Sequence, residues 1–299
     1  MTAKAAQQRN FTGRFLFLTF LILLSLGLNG YQWYNYQLDE TRHQNDILSL
    51  NGEVKRLREE QAELRTTIAQ IGVVTNKAAR VSYNDSDFDT YTINLSQSNL
   101  KLYWTDESGL PFRNLGKLKD WLEERGKRMV FGINAGMYLT DNSPQGLFID
   151  DSIERRPIDL GDSEGFENFY LKPNGVFYLD DSGANIMESE SFASEKPSAH
   201  LATQSGPMLL INGKIHPKFR EGSSNLNIRN GVGIINNETV VFIISRQAVN
   251  FYDFAMVFKE KFSCKNALYL DGAISKMYLP ELDRKDLSGN LGPLLVEWE

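Results

Sequence analysis

No charged residue lies between Arg14 and Asp39, a run of 24 residues. As a helix this run would be about 36 Å long at 1.5 Å per residue, enough to span a hydrocarbon core of about 30 Å. Its first part, Phe15 to Leu28, is almost wholly aliphatic or aromatic, and Tyr31, Trp33, Tyr34 and Tyr36 follow as an interfacial belt would. Lys4, Arg9 and Arg14 precede it, which places the N-terminus in the cytoplasm and the rest of the chain outside. No small-x-small cleavage site follows, so the segment reads as an uncleaved signal anchor rather than a removed leader. Cys264 is the single cysteine, so no intrachain disulfide can form. A disulfide-free domain outside the cytoplasm fits a bacterial inner membrane with a periplasmic or cell-surface domain.

A heptad pattern follows the anchor. Ile47, Val54, Gln61 and Ile68 fall on a, and Leu50, Leu57, Leu64 and Ile71 fall on d. β-Branched residues at a with leucine at d favour a parallel dimer, and a polar Gln61 at one a position would set its register. The expected organisation is a cytoplasmic N-terminus and anchor over 1–38, a coiled-coil stalk over 39–72, a polar linker over 73–89 and a globular domain over 90–299. The stalk predicts a homodimer.

The globular part reads as many short strands and few helices. Tyr91 to Leu95 with Leu100 to Trp104 read as an antiparallel pair, and Met129 to Ile133 as a buried strand. Asn168 to Leu171 and Gly175 to Leu179 form a hairpin candidate. Met208 to Ile211 runs into an Asn212-Gly213 turn, and Gly231 to Ile235 pairs with Thr239 to Ser245 over Asn236-Asn237. Helices are expected after Asn114, over Leu115 to Leu122, and over Phe251 to Phe262, with Cys264 buried as a small hydrophobe. Ala267 to Leu270 is a buried strand, with Lys276 to Leu279 as its partner. This pattern predicts an α+β fold with a mixed or antiparallel sheet. The net charge of −6 argues against a general nucleic-acid binder. His43, His200 and His216 show no metal-ligand spacing, which argues against a His-based zinc site. The turn acids Asp141, Asp150, Asp151, Asp180 and Asp181 could hold Ca²⁺ but follow no EF-hand pattern, so no metal or cofactor is expected.

Polar and glycine residues gather at the ends of the buried strands: Asn134 and Gly136, then Gln204, Ser205 and Gly206, then Arg229 and Asn230, then Ser245 and Arg246, and finally Asp271 and Gly272. Strand ends with glycine-rich rims build clefts. Any one of them alone is more often a turn; their recurrence points to a site.

Four of these segments, Asn134-Ala-Gly-Met-Tyr138, Gln204-Ser-Gly-Pro-Met208, Arg229-Asn-Gly-Val-Gly233 and Tyr269-Leu-Asp-Gly-Ala273, resemble in order and spacing the phosphodiester glycosidase family. The resemblance covers about residues 90 to 295. It departs at Ala273, where many members of the family carry glycine, and at Ala135, where some do. It implies hydrolysis of the bond between a sugar anomeric carbon and a phosphate oxygen. On that reading Asp271 is the first catalytic carboxyl and Asp253 the second, although Asp253 equally suits charge compensation at a helix start. Arg229 is the candidate phosphate fork, with Arg246 joining it or pairing with an acid. Asn134, Gly136, Gln204, Ser205, Gly206, Asn230, Ser245 and Gly272 would contact a sugar phosphate or envelope glycan, and Tyr138, Tyr170, Tyr252 or Tyr278 could stack on a sugar. The alternative is a non-catalytic module of the same fold that holds a glycan or phosphopolymer, or an assembly factor, on its stalk.

Overall fold

The computed structural model describes residues 2–71, 76–162, 168–271 and 274–299, with the side chains of the first helix described over 24–40, 42–58 and 60. That helix, α1, runs from Thr2 to Ile71 and belongs to a unit separate from the one formed by residues 74–299. Ile47, Leu50, Val54 and Leu57 of the heptad pattern are all exposed on it, while Gln61, Leu64, Ile68 and Ile71 lie outside the described side chains. Among the described residues no helix is long and apolar enough to cross a membrane. Phe15 to Leu23 of the expected anchor fall outside the described side chains.

The second unit opens with β1 (Lys77–Tyr83), β2 (Ser86–Asn94), β3 (Leu100–Tyr103), helix α2 (Leu115–Glu123) and β4 (Met129–Asn134). Next come β5 (Phe148–Asp150), β6 (Ile153–Arg156), β7 (Gly175–Asp180), β8 (Gly183–Glu188), α3 (Ser189–Glu195) and β9 (Leu201–Ser205). They are followed by β10 (Met208–Ile211), β11 (Lys214–Ile215), β12 (Asn230–Asn236), β13 (Thr239–Ser245) and α4 (Phe251–Phe262). The chain ends with β14 (Ala267–Asp271), β15 (Met277–Leu279), β16 (Arg284–Lys285) and β17 (Leu294–Trp298).

These strands make three antiparallel sheets. The first has the order β1-β2-β13-β12-β14-β10-β11, the second β16-β15-β4-β17-β3 and the third β6-β5-β9-β7-β8. One core joins them, with Phe242, Val232 and Leu268 from the first, Phe131, Ile133 and Leu295 from the second, and Phe177, Phe148 and Leu201 from the third. Each sheet is backed by a helix on its other face. Phe254 and Phe258 of α4 cover the first, Leu115, Leu118 and Leu122 of α2 the second, and Phe192 of α3 the third. β13 explains why an uninterrupted apolar run is a strand here: Val240, Phe242 and Ile244 enter the common core, while Val241 and Ile243 face α4.

Both helices expected from apolar spacing form, and side-chain caps start them. Asn114 Oδ1 accepts from Lys117 N at 2.8 Å and Asn250 Oδ1 accepts from Asp253 N at 2.8 Å. The Asn212-Gly213 hairpin forms with φ of 49° and 79°, as a turn needing two left-handed residues demands.

Four expectations need correction. The globular unit does not begin near Thr90: β1 and the start of β2 occupy the segment read as linker, pairing as a hairpin from Lys77↔Thr92 to Tyr83↔Ser86. Tyr91 to Leu95 and Leu100 to Trp104 do not pair, because β2 joins β13 and β3 joins β17 in different sheets. Asn168–Tyr170 is a 3-10 turn, not a strand. β15 pairs with β4 and β16 rather than with β14, so the chain changes sheets just after Asp271. Local alternation carries no information on which distant strand becomes a neighbour.

Candidate active site

Asp271 ends β14 and is 3% exposed. A bulge carries it there. Gly231 pairs with Tyr269 while Asn230 pairs with Asp271, leaving Leu270 as an extra residue. Tyr269 packs under α4 and Leu270 enters the common core. The extra residue breaks strict alternation and turns Asp271 toward the second sheet, the re-aiming that bulges provide beside sites. There Asn134, the last residue of β4, donates from Nδ2 to Asp271 Oδ2 at 2.7 Å.

Both amides around this carboxylate are fully used. Asn134 Nδ2 also donates to Ile274 O at 2.7 Å, while its Oδ1 accepts from Asn230 Nδ2 and from Lys276 N, each at 2.8 Å. Asn230 Nδ2 reaches Asn134 O at 2.9 Å and its Oδ1 accepts from Asp271 N at 3.1 Å. Ser275 Oγ lies 3.0 Å from Ile228 O and 3.2 Å from Asp271 O. An amide side chain has two donor hydrogens and one acceptor oxygen, so neither asparagine can turn without losing several buried bonds. The network fixes where the Asp271 carboxylate sits and ties down the segment that follows it.

Tyr138 borders the same carboxylate. Burial, and then the charge of Asp271, push its phenol above the ordinary tyrosine range, and its hydroxyl donates to Asn290 O at 2.5 Å. Gly292 makes room for it, since a Cβ there would lie 2.3 Å from Tyr138 Cβ. Gly136 is similarly crowded: its Cβ would meet Thr203 Oγ1 at 2.8 Å. Tyr138, one of the four tyrosines considered for stacking, has an electrostatic link to Asp271. Tyr170 donates to Asp159 Oδ2, Tyr278 is buried under α2, and Tyr252, in the first turn of α4, is partly buried against the core beneath that helix.

Several other candidates are structural. Gln204 is a bracket: its Oε1 accepts from Leu147 N and Asp159 N, and its Nε2 donates to Asp159 O and Ser189 Oγ. Ser205 Oγ donates to Leu270 O at 2.7 Å and so holds β14 at the bulge. Gly206 sits against the Asn174 side chain and the Phe169 carbonyl. Ser245 Oγ accepts from Arg229 N at 2.9 Å. Gly272 lies outside the described residues.

Arg229 does not present a fork to the cleft. It is 0% exposed, and its Nε donates to Val249 O at 2.8 Å, Nη1 to Tyr269 Oη at 3.2 Å and Nη2 to Asn225 O at 2.9 Å. The guanidinium carbon lies 3.6 Å from the centre of the Phe251 ring. Burial draws its pKa below the ordinary arginine value and pushes the Tyr269 phenol up to about 12. Asp253 is likewise not a partner of Asp271. It is the N3 residue of α4, with Oδ2 accepting from Asn250 Nδ2 at 2.7 Å and Oδ1 from Asn84 Nδ2 at 3.2 Å, a reciprocal cap. Arg246 pairs with an acid, as one of its two readings had it, and that acid is buried: Asp89 accepts from Arg246, Arg80 and Arg284 at 2.9, 2.8 and 3.1 Å.

Lys276 and Ser275 were not singled out from the sequence. Lys276 is half-buried on the segment closing the network, and its ammonium has no partner among the described residues. Its position five residues past Asp271 is the only sequence signal it carries.

The phosphodiester glycosidase family profile matches residues 127–291, the span from β4 through the residues just before β17. The uncharacterized protein YigE of Escherichia coli (strain K12) is 37% identical over 189 residues, covering 63% of this chain and 73% of YigE. The catalytic domain of zebrafish N-acetylglucosamine-1-phosphodiester α-N-acetylglucosaminidase, auto-inhibited by its pro-peptide, superposes with a TM-score of 0.50 at 12% identity, covering 74% of this chain and 81% of that one. A hypothetical protein from Synechocystis gives 0.50 at 13% identity over 75% of this chain and 61% of its own. The two structural likenesses carry the fold, and the profile and the YigE alignment carry the kinship: this chain belongs to the phosphodiester glycosidase family.

Proposed function

We propose that this protein hydrolyses the bond between a sugar anomeric carbon and a phosphate oxygen in a cell-envelope glycan or related glycosyl-1-phosphodiester, with Asp271 as the acting carboxylate. The observation that carries this reading is the Asn134–Asn230–Asp271 network. Two buried amides spend every donor and acceptor to hold one carboxylate and the segment beside it. Such preorganisation suits a group that must meet an oxocarbenium-like centre at a fixed distance. A phosphate leaves readily, so a single acting carboxyl suffices and the loss of Asp253 from the site does not weaken the reading. The same carboxylate serves as nucleophile or as base toward water.

With Arg229 enclosed, the positive charge for the substrate phosphate comes from Lys276. Its ammonium is unpaired among the described residues and its backbone is fixed by Asn134. Lys276→Ala is expected to raise KM for an anionic glycosyl phosphodiester about tenfold while leaving KM for a neutral aryl glycoside unchanged. Steady-state kinetics on the two substrates checks this; equal effects on both would remove Lys276 from the phosphate.

The N-terminal residues tether the enzyme to a bacterial inner membrane with the catalytic domain outside. The exposed apolar positions Ile47, Leu50, Val54 and Leu57 supply the seam of a parallel coiled-coil dimer. The deciding experiment incubates the protein with α- and β-linked N-acetylglucosamine and glucose 1-phosphodiesters and follows free sugar by mass spectrometry. Turnover by the wild type establishes the hydrolase. Saturable binding of a diester without turnover would instead support a binding module of the same fold.

A further inference from the structure

A groove of about 620 Å³ opens beside Tyr103, Trp104, Trp121 and Phe148, and the turn between β5 and β6 brings Asp150 and Arg155 to it. Its four carboxylates are not equivalent. Asp106 Oδ1 accepts from Ser108 N and Leu110 N at 2.8 and 3.0 Å, closing its own turn. Glu107 accepts from Trp121 Nε1 at 3.1 Å and from Arg125 at 2.9 Å, and Asp151 pairs with Lys101 at 2.7 Å. Asp150 is half-buried and has neither a hydrogen-bond donor nor an ion-pair partner among the described residues, and burial followed by the charge of Asp151 pushes its pKa up. Arg155 is exposed and likewise has no acceptor among the described residues. The Asp150 carboxylate thus shares a groove with a cation left without an acceptor and with aromatic walls.

We propose that this groove is a saccharide-binding subsite that takes a neutral pyranose unit of a glycan. A pyranose offers hydroxyls that donate to the carboxylate of Asp150 and accept from Arg155, and an apolar C–H face for Tyr103 or Trp104. Charge decides against the alternatives. With Glu107 neutralised by Arg125 and Asp151 by Lys101, only Asp106 and Asp150 face Arg155, a near balance that suits a neutral ligand better than a phosphate or an ammonium. One strand links the groove to the Asp271 network: Tyr103 pairs with Leu294, and Leu294 with Asn134, so the Tyr103 and Asn134 backbones are two strand spacings apart, about 10 Å. The inference extends the hydrolase reading by assigning the neutral glycan to this groove and the phosphate to the Lys276 side.

The test titrates the full-length protein with chitotetraose and maltotetraose as neutral probes, spermidine as a cationic probe and glucose 1-phosphate as an anionic one. Tryptophan fluorescence and calorimetry read the binding. At least one neutral oligosaccharide is expected to bind saturably. Asp150→Asn should weaken it about tenfold, by loss of a charged hydrogen-bond acceptor, and Asp271→Asn should leave it unchanged. Trp104→Ala should weaken it as well, and thermal melting checks that this variant folds. Binding of spermidine or glucose 1-phosphate in place of both oligosaccharides, binding of none, or an Asp150→Asn protein that binds like the wild type would each overturn the assignment. The two readings fail separately: saturable oligosaccharide binding without turnover overturns the hydrolase alone, and turnover of short diesters without such binding overturns the groove alone.

Discussion

Asp271→Asn is expected to lower kcat on a glycosyl-1-phosphodiester by about a thousandfold or more, with KM changed by less than about threefold. The amide is nearly isosteric with the carboxylate, and its oxygen can still accept from Asn134 Nδ2, now 2.7 Å from Asp271 Oδ2. Ground-state binding and folding are therefore preserved while the negative charge that stabilises an oxocarbenium-like centre is removed. An interaction made chiefly in the transition state appears in kcat, at about 4 kcal/mol per thousandfold. Asn134→Ala separates position from charge. It leaves Asp271 ionised but frees the segment at Ile274 and Lys276, and is expected to cost less than Asp271→Asn, about ten- to a hundredfold. Progress curves on the diester panel, with thermal melting to show equal folding, check both. An Asp271→Asn enzyme that keeps more than a tenth of wild-type kcat would remove this carboxylate from the reaction.

Much of this site was legible as position rather than as role. Strand ends carrying Asn134, Asn230 and Asp271 stand out because each polar residue interrupts a buried apolar run, and the structure brings these three together. The same signal also marked Gln204, Ser205 and Ser245. A polar side chain that satisfies the backbone at a sheet edge looks, in sequence, like one that faces a ligand. The bulge at Leu270 that aims Asp271 has no local signature. The partner of β15 depends on β4, more than a hundred residues earlier. For Asp253 the helix-start alternative is the one the structure fits, since it sits in the first turn of α4 and bonds to Asn250. The first hairpin was missed because β1 is an edge strand with little burial and β2 opens on the polar Ser86, Asp87 and Asp89, so neither shows apolar alternation.

Arg229→Ala is expected to destabilise the globular unit by about 3–5 kcal/mol, lowering its thermal midpoint by roughly 6–20 °C. The guanidinium is wholly enclosed, so the substitution leaves Asn225 O and the Tyr269 hydroxyl without this donor, leaves Val249 O with Asn227 N alone, and opens a void beside Phe251. Arg229→Lys should recover only part of the loss, because an ammonium on a flexible stem cannot reach all three acceptors and stack on Phe251 as a planar fork does. If arginine instead served the substrate phosphate, the pattern would invert, with a midpoint near that of the wild type and a KM raised for anionic substrates alone. Differential scanning calorimetry combined with KM on the diester separates the two cases. In the structure all three guanidinium nitrogens have protein acceptors and none of the side chain meets solvent. Arg229 therefore acts as a cationic staple joining the start of β12, the Val249 turn and Tyr269 beneath α4, which is why the proposed function gives the phosphate to Lys276 instead.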